Sequence, residues 1–105
     1  MAIELTPRQR QHLKGLAHSL QPVVQLGGAG LTDAVVAAAR EALRRHELIK
    51  VKLPKVDGAQ EREELAAEVT ARSGATMVQL LGRVLVLYLA RDKDLPDKPR
   101  IQLPK

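Results

Sequence analysis

Apolar positions recur at helical spacing in three stretches of the chain and at strand spacing between them. The first helical stretch follows Thr6-Pro7-Arg8-Gln9. Thr6 is a natural N-cap, Pro7 suits the first helical position and Gln9 completes a capping box. Leu13, Leu16, Ala17 and Leu20 make its buried stripe, while Arg10, Gln11, Lys14 and His18 take the outer face. The helix is expected to end near His18, before Gln21-Pro22. Gly15 weakens a helix interior by about 1 kcal/mol relative to Ala, a cost that a close approach of another backbone or of a ligand would explain.

Pro22-Val23-Val24-Gln25-Leu26 reads as a strand, and Gly27-Gly28-Ala29-Gly30-Leu31-Thr32 as a turn leading into a second helix, about Asp33 to His46. Thr32 is the expected N-cap, and Asp33 favours the first turn. Leu31, Val35, Val36, Ala39 and Leu43 form the core side. Arg40, Glu41, Arg44 and Arg45 form the solvent side, with Glu41 spaced to pair with Arg45. Leu48 to Leu53 alternates strictly, which turns Ile49, Val51 and Leu53 inward and places Lys50 and Lys52 together on the other face.

A loop over Pro54–Gly58 precedes a third helix, roughly Gln60 to Ser73, in which Leu65, Ala66 and Val69 pack inward and Gly74 is the stop. Its Glu61, Glu63 and Glu64 suit a helix N-terminus, and this acidic helix is expected to lie away from any nucleic acid. Thr76–Leu81 and Val84–Ala90 are strands around Gly82-Arg83, a spacing that predicts a type II′ hairpin. Val84-Leu85-Val86-Leu87 does not alternate, which predicts cover on both faces. The order α-β-α-β-α-β-β predicts an α+β fold, a two-layer α/β sandwich with a four-stranded mixed sheet. Residues 1–105 are expected to form a single domain. Residues 92–105, with three prolines, are expected to be an extended C-terminal tail in which Ile101 and Leu103 dock.

Charge narrows the picture. Of 105 residues, 17 are Lys or Arg and 12 Asp or Glu, a net +5. Residues 1–55 hold nine of those cations and four of the acids. Such a bias favours an anionic partner. The chain has no cysteine, which excludes disulfides and thiolate metal sites. The start, Met-Ala-Ile-Glu-Leu, carries no secretory signal pattern, and no apolar run approaches membrane-spanning length. A cytoplasmic location without membrane association is expected.

No catalytic constellation is visible. His12, His18 and His46 are not at metal-ligand spacing on one helical face, so no metal is expected. The glycine turn lacks the Lys-Ser/Thr ending of a P-loop and the full dinucleotide pattern. A non-enzyme with no cofactor and no small-molecule substrate is expected. Tyr88 is the only aromatic residue, which excludes RNA-binding modules that stack bases on aromatic rings. A Gly-x-x-Gly turn beside a helix N-terminus clamps a sugar-phosphate backbone without aromatics, as KH domains do. The expected contacts are Gly27, Gly28, Ala29 and Gly30 through the backbone, with Lys14, Arg40, Arg44, Lys50 and Lys52 as phosphate partners. The competing reading is a basic interaction module docking on an acidic protein partner.

Several segments resemble the YhbY-type CRM domain family. They are Gln11-His12-Leu13-Lys14-Gly15-Leu16-Ala17-His18, Pro22 through Thr32, His46-Glu47-Leu48-Ile49-Lys50-Val51-Lys52, and Gly82-Arg83-Val84-Leu85-Val86-Leu87-Tyr88. The resemblance implies a KH-like RNA-binding domain, similar to the C-terminal domain of translation initiation factor three. It also implies a ribosome assembly role on ribosomal RNA of the large-subunit precursor, with ribosomal proteins as further neighbours. Lys14, Gly27, Gly30, Lys50 and Lys52 match positions that the resemblance marks as functional or motif-defining. Leu89 departs from the family, which usually places a basic residue directly after the tyrosine. Arg91 is the candidate to replace that phosphate contact.

Overall fold

The chain starts as its caps dictate. Thr6 Oγ1 accepts from the Gln9 N–H at 3.1 Å, and Gln9 Oε1 accepts from the Thr6 N–H at 3.0 Å. This reciprocal pair opens α1 (Pro7–Ala17) in a computed structural model that describes residues 4–91, 96, 97 and 100–104. β1 (Pro22–Gln25), α2 (Asp33–His46), β2 (Leu48–Lys52), α3 (Ala59–Ser73), β3 (Thr76–Leu81) and β4 (Val84–Tyr88) follow. Thr32 caps α2, Gly74 closes α3 in the left-handed region, and Gly82 opens the hairpin turn at φ +60°.

The sheet has four strands in the order β1-β2-β4-β3. β1 and β2 are parallel and joined through α2, since parallel neighbours need a crossover. β4 is central and antiparallel to both β2 and β3. Its residues Leu85 to Tyr88 are all buried, as a strand covered on both faces requires.

The α+β class, the element order and the mixed four-stranded sheet are as expected, and the helices divide between the two sheet faces. α2 and α3 cover one face over the larger core, which contains Ala39, Leu43, Ile49, Val51, Leu53, Ala66, Val69, Leu85 and Leu87. α1 lies on the other face, where Leu13 and Ala17 meet Leu48, Val78, Val86 and Tyr88. Ile101 and Leu103 pack against this second cluster. Of the expected tail, residues 92–95, 98, 99 and 105 lie outside the described residues.

Leu16 departs from its expected place in the stripe and is exposed. With Leu13 and Ala17 taking the four-residue spacing onto the second cluster, Leu16 turns toward the free edge beside β1. A Cβ on Gly15 would meet open space, so among the described residues no backbone makes the close approach that was one explanation for this glycine.

Candidate nucleic-acid interface

The glycine turn grows directly out of the sheet. The Leu26 N–H donates to the Lys52 carbonyl at 2.9 Å, holding the exit of β1 against β2. Gly27 and Gly30 then pair across the turn, with the Gly30 N–H donating to the Gly27 carbonyl at 2.9 Å. Gly30 has φ +76°, where a side chain is strained. Gly27 and Gly28 have no such constraint, and a Cβ on either would meet open space. The exposed Gly28 and Ala29 present N–H groups with no hydrogen-bond partner among the described residues. In the first turn of α2 the chain itself serves one donor and adds a carboxylate. Thr32 Oγ1 accepts from the Val35 N–H at 3.2 Å, and the Asp33 carboxylate pairs with Arg72 at 2.7 Å. The turn thus offers an anion the Gly28 and Ala29 donors, away from the Asp33 carboxylate.

Topology brings cations to the same end of the sheet. β1 and β2 run parallel and finish together, and the antiparallel β4 begins there, with Val84 opposite Lys52. The hairpin tip closes against this end, where the Leu53 N–H donates to the Arg83 carbonyl at 2.7 Å. Arg83 and Lys55, both exposed, join the turn and Lys52 here. Neither was expected from the sequence, because both depend on strand order; the exposed cation of the Gly82-Arg83 turn was the available signal.

Lys50 and Lys52 share the α1 side of the sheet, since Ile49, Val51 and Leu53 fill the core opposite. Lys50 Nζ donates to the Leu20 carbonyl at 3.0 Å, and Lys14 and Lys50 line one cavity beside α1. Two residues of strand, about 6.6 Å, separate Lys50 from Lys52 at the turn. The turn, Lys52, Lys50 and Lys14 thus form one continuous surface.

Arg40 and Arg44 do not join it. They lie on the outer side of α2, around an open hollow shared with Asp33 and Arg72, over the opposite sheet face. Arg44 pairs with Glu41 at 2.5 Å, in place of the expected Glu41–Arg45 pair. Arg45 reaches Asp97 instead, through two hydrogen bonds of 3.2 and 2.7 Å. α3 also lies closer to the turn than expected. Glu61, Glu64 and Glu68 share a hollow of about 400 Å³ with Gly28, Gly30 and Lys55. These carboxylates repel a phosphate approaching from the α3 side and leave the Lys52–Arg83 side open.

Two further arginines are structural. The guanidinium of Arg10 donates to the carbonyls of Met77 and Val78 at 2.6 and 2.8 Å, where β3 is irregular. Arg91, the expected substitute for the missing basic residue after Tyr88, is turned inward. Its guanidinium donates to the carbonyls of Arg44 and Arg45 at the end of α2 and lies 3.6 Å from the Glu47 carboxylate. With its side chain only 9% exposed, Arg91 caps a helix C-terminus and offers no phosphate contact. Leu89 packs against the larger core. Among the described residues, no group of three or more His, Asp or Glu is placed to hold a metal ion, and no helix is long and apolar enough to cross a membrane.

The glycine turn and its vacant amides thus sit at a basic sheet end of a small α+β domain. Comparison with known proteins gives the family. The CRS1/YhbY (CRM) domain model matches residues 5–88, and the chain belongs to that family. It is 45% identical over 102 residues to a Haemophilus influenzae protein named as an RNA-binding protein, covering 96% of each chain. It is 32% identical over 100 residues to Bacillus subtilis YqeI, named as a probable RNA-binding protein, covering 95% of this chain and 99% of that one. The solution structure of a Staphylococcus aureus protein described as a candidate RNA-binding protein superposes with a TM-score of 0.78. That pair is 28% identical and covers 96% of this chain and all of the other.

Proposed function

We propose that this chain is an RNA-binding protein acting as a ribosome assembly factor on ribosomal RNA of the large-subunit precursor. The observation that carries the reading is the convergence of the glycine turn, Lys52, Arg83 and Lys55 at one end of the sheet, continuous with Lys50 and Lys14. The Gly28 and Ala29 N–H groups donate to a phosphate, Lys52 and Arg83 flank it, and the next phosphates run toward Lys14. Glu61, Glu64 and Glu68 close the α3 side, so the strand has one direction of approach. Amide and ammonium contacts to phosphate position RNA and read little sequence, so selectivity comes from RNA shape or from neighbouring ribosomal proteins. The choice of ribosomal RNA and of the large subunit rests on the family resemblance.

Sucrose-gradient fractionation of cells carrying a tagged copy tests this role. The tag is expected in precursors of the large subunit and is lost from them when Gly28 and Ala29 are both replaced by Asp. Signal only at the top of the gradient, or only with the small subunit, overturns the assembly role even if RNA binding in vitro holds.

A further inference from the structure

We propose that the cavity between α1 and the β3–β4 hairpin is a seat for one unstacked RNA nucleotide, lined by Lys14, His18, Lys50, Gln79, Leu81 and Val84. The inference rests on the RNA-binding reading and assigns this surface a second contact, to a base as well as to phosphate.

The cavity holds about 160 Å³ and has no acidic residue in its lining. Lys14 and Lys50 supply its charge, so a polyanion is drawn in. The hairpin supplies an apolar wall. Leu81, 67% exposed, stands in register beside Val84 at the hairpin end. The sole aromatic ring, Tyr88, is buried in the second core cluster and is closed to a base. Leu81 and Val84 are therefore the apolar surface that the hairpin offers to a base face. Gln79 and His18 add donors and acceptors of the kind that meet base edges.

Gln79 reaches the cavity only because β3 is bulged. Met77 pairs with Leu87 and packs on the larger core. Regular alternation from Met77 would turn Gln79 into that same core, where an amide lacks partners. The register shift between Met77 and Gln79 places Gln79 opposite Val86, on the α1 side, and returns Leu80 to the core. Bulges of this kind re-aim side chains near binding sites. Arg10 fixes this one through the Met77 and Val78 carbonyls. Arg10 is thus a positioning residue for the seat.

The test is fluorescence anisotropy of the full chain with two labelled RNAs of equal length, a uridine-rich single strand and a blunt duplex. Leu81→Ala, at an exposed position, is expected to weaken the single strand by about five-fold, matching the low end of the loss for an aromatic side chain stacked on a base. The duplex affinity and the salt dependence of both RNAs are expected to stay unchanged. Gln79→Ala is expected to lower single-strand affinity without affecting the duplex. Equal loss on both RNAs, or no loss on either, overturns the nucleotide seat and leaves RNA binding intact. Displacement of the strand by free uridine monophosphate at equal affinity also overturns it, since the seat would then serve a free nucleotide. Failure of the unmodified chain to bind either RNA overturns both readings.

Discussion

Glu47→Gln changes little in shape and is expected to be among the most destabilising conservative substitutions in this chain. Glu47 is the single residue between α2 and β2, at φ +63°, the one positive φ outside glycine among the described residues. Its N–H donates to the Leu43 carbonyl and its own carbonyl accepts from the Leu89 N–H, each at 2.8 Å. Its carboxylate, 1% exposed, accepts from the Arg91 N–H at 2.9 Å and the Ile101 N–H at 2.6 Å, one on each oxygen. A glutamine amide has one acceptor oxygen, so one of these buried donors would face an NH2 group. An unsatisfied buried donor costs about 1–3 kcal/mol. Breaking one half of a buried ion pair brings the total to about 3–5 kcal/mol. At roughly 4 °C or more of Tm per kcal/mol for a domain near this size, the expected drop is at least about 12 °C. Urea and thermal unfolding of the two proteins measure it. Tyr88 provides an independent readout, being the only tyrosine and without tryptophan beside it. Burial, and secondarily the Glu47 carboxylate, raise its hydroxyl above the ordinary 10.0. The folded state then holds that proton longer than the unfolded state, so the associated stability is full below pH 10.0 and is lost as pH rises through the folded value. Glu47→Gln removes the smaller cause, and tyrosinate absorbance should appear at lower pH. A loss of stability below about 1 kcal/mol would refute the hub role, because it would equal an ordinary surface change.

RNA affinity should fall with salt at a log–log slope of roughly −2 to −3.5, from about three to five neutralised phosphates at ~−0.7 each for single strands. A flat titration would remove the electrostatic account. Gly28→Asp with Ala29→Asp should abolish RNA binding and leave circular dichroism unchanged, because Gly28 is free of positive φ and open to a Cβ. Undiminished affinity in that folded variant would make the turn purely structural. Gly15→Ala should stabilise the chain by about 0.5–1 kcal/mol in urea unfolding, since helix propensity improves and nothing clashes. A destabilisation would show that the open space beside Gly15 is not available.

Local chemistry was legible in the sequence. The Thr6–Gln9 box, the Thr32 cap, the Gly82 turn and the alternation of Ile49, Val51 and Leu53 involve residues a few positions apart, where propensity and spacing decide the outcome. What escaped depends on strand order or on one long-range partner. Arg83 and Lys55 reach the glycine turn because β4 starts where β2 ends. Arg40 and Arg44 carry the same charge as the lysines, yet the sheet stands between them, and no periodicity reports that separation. Arg91 looked like a surface cation because its partners, Glu47 and the end of α2, are more than forty residues away in sequence. The bulge at Val78 was hidden for the same reason, since the parity of β3 is set by Arg10 on α1 and by pairing with β4.

The central claim is that RNA lies on the α1 side of the sheet and at its glycine end. Amide chemical-shift mapping of the isotope-labelled chain during titration with a short single-stranded RNA tests it most directly. The expected perturbations fall on Gly28, Ala29, Lys50, Lys52, Arg83 and the Lys14 turn of α1. Arg40, Arg44 and Arg72, on the outer side of α2 and α3, should stay unmoved. Perturbations confined to Arg40, Arg44 and Arg72, with a silent glycine turn, would contradict the account.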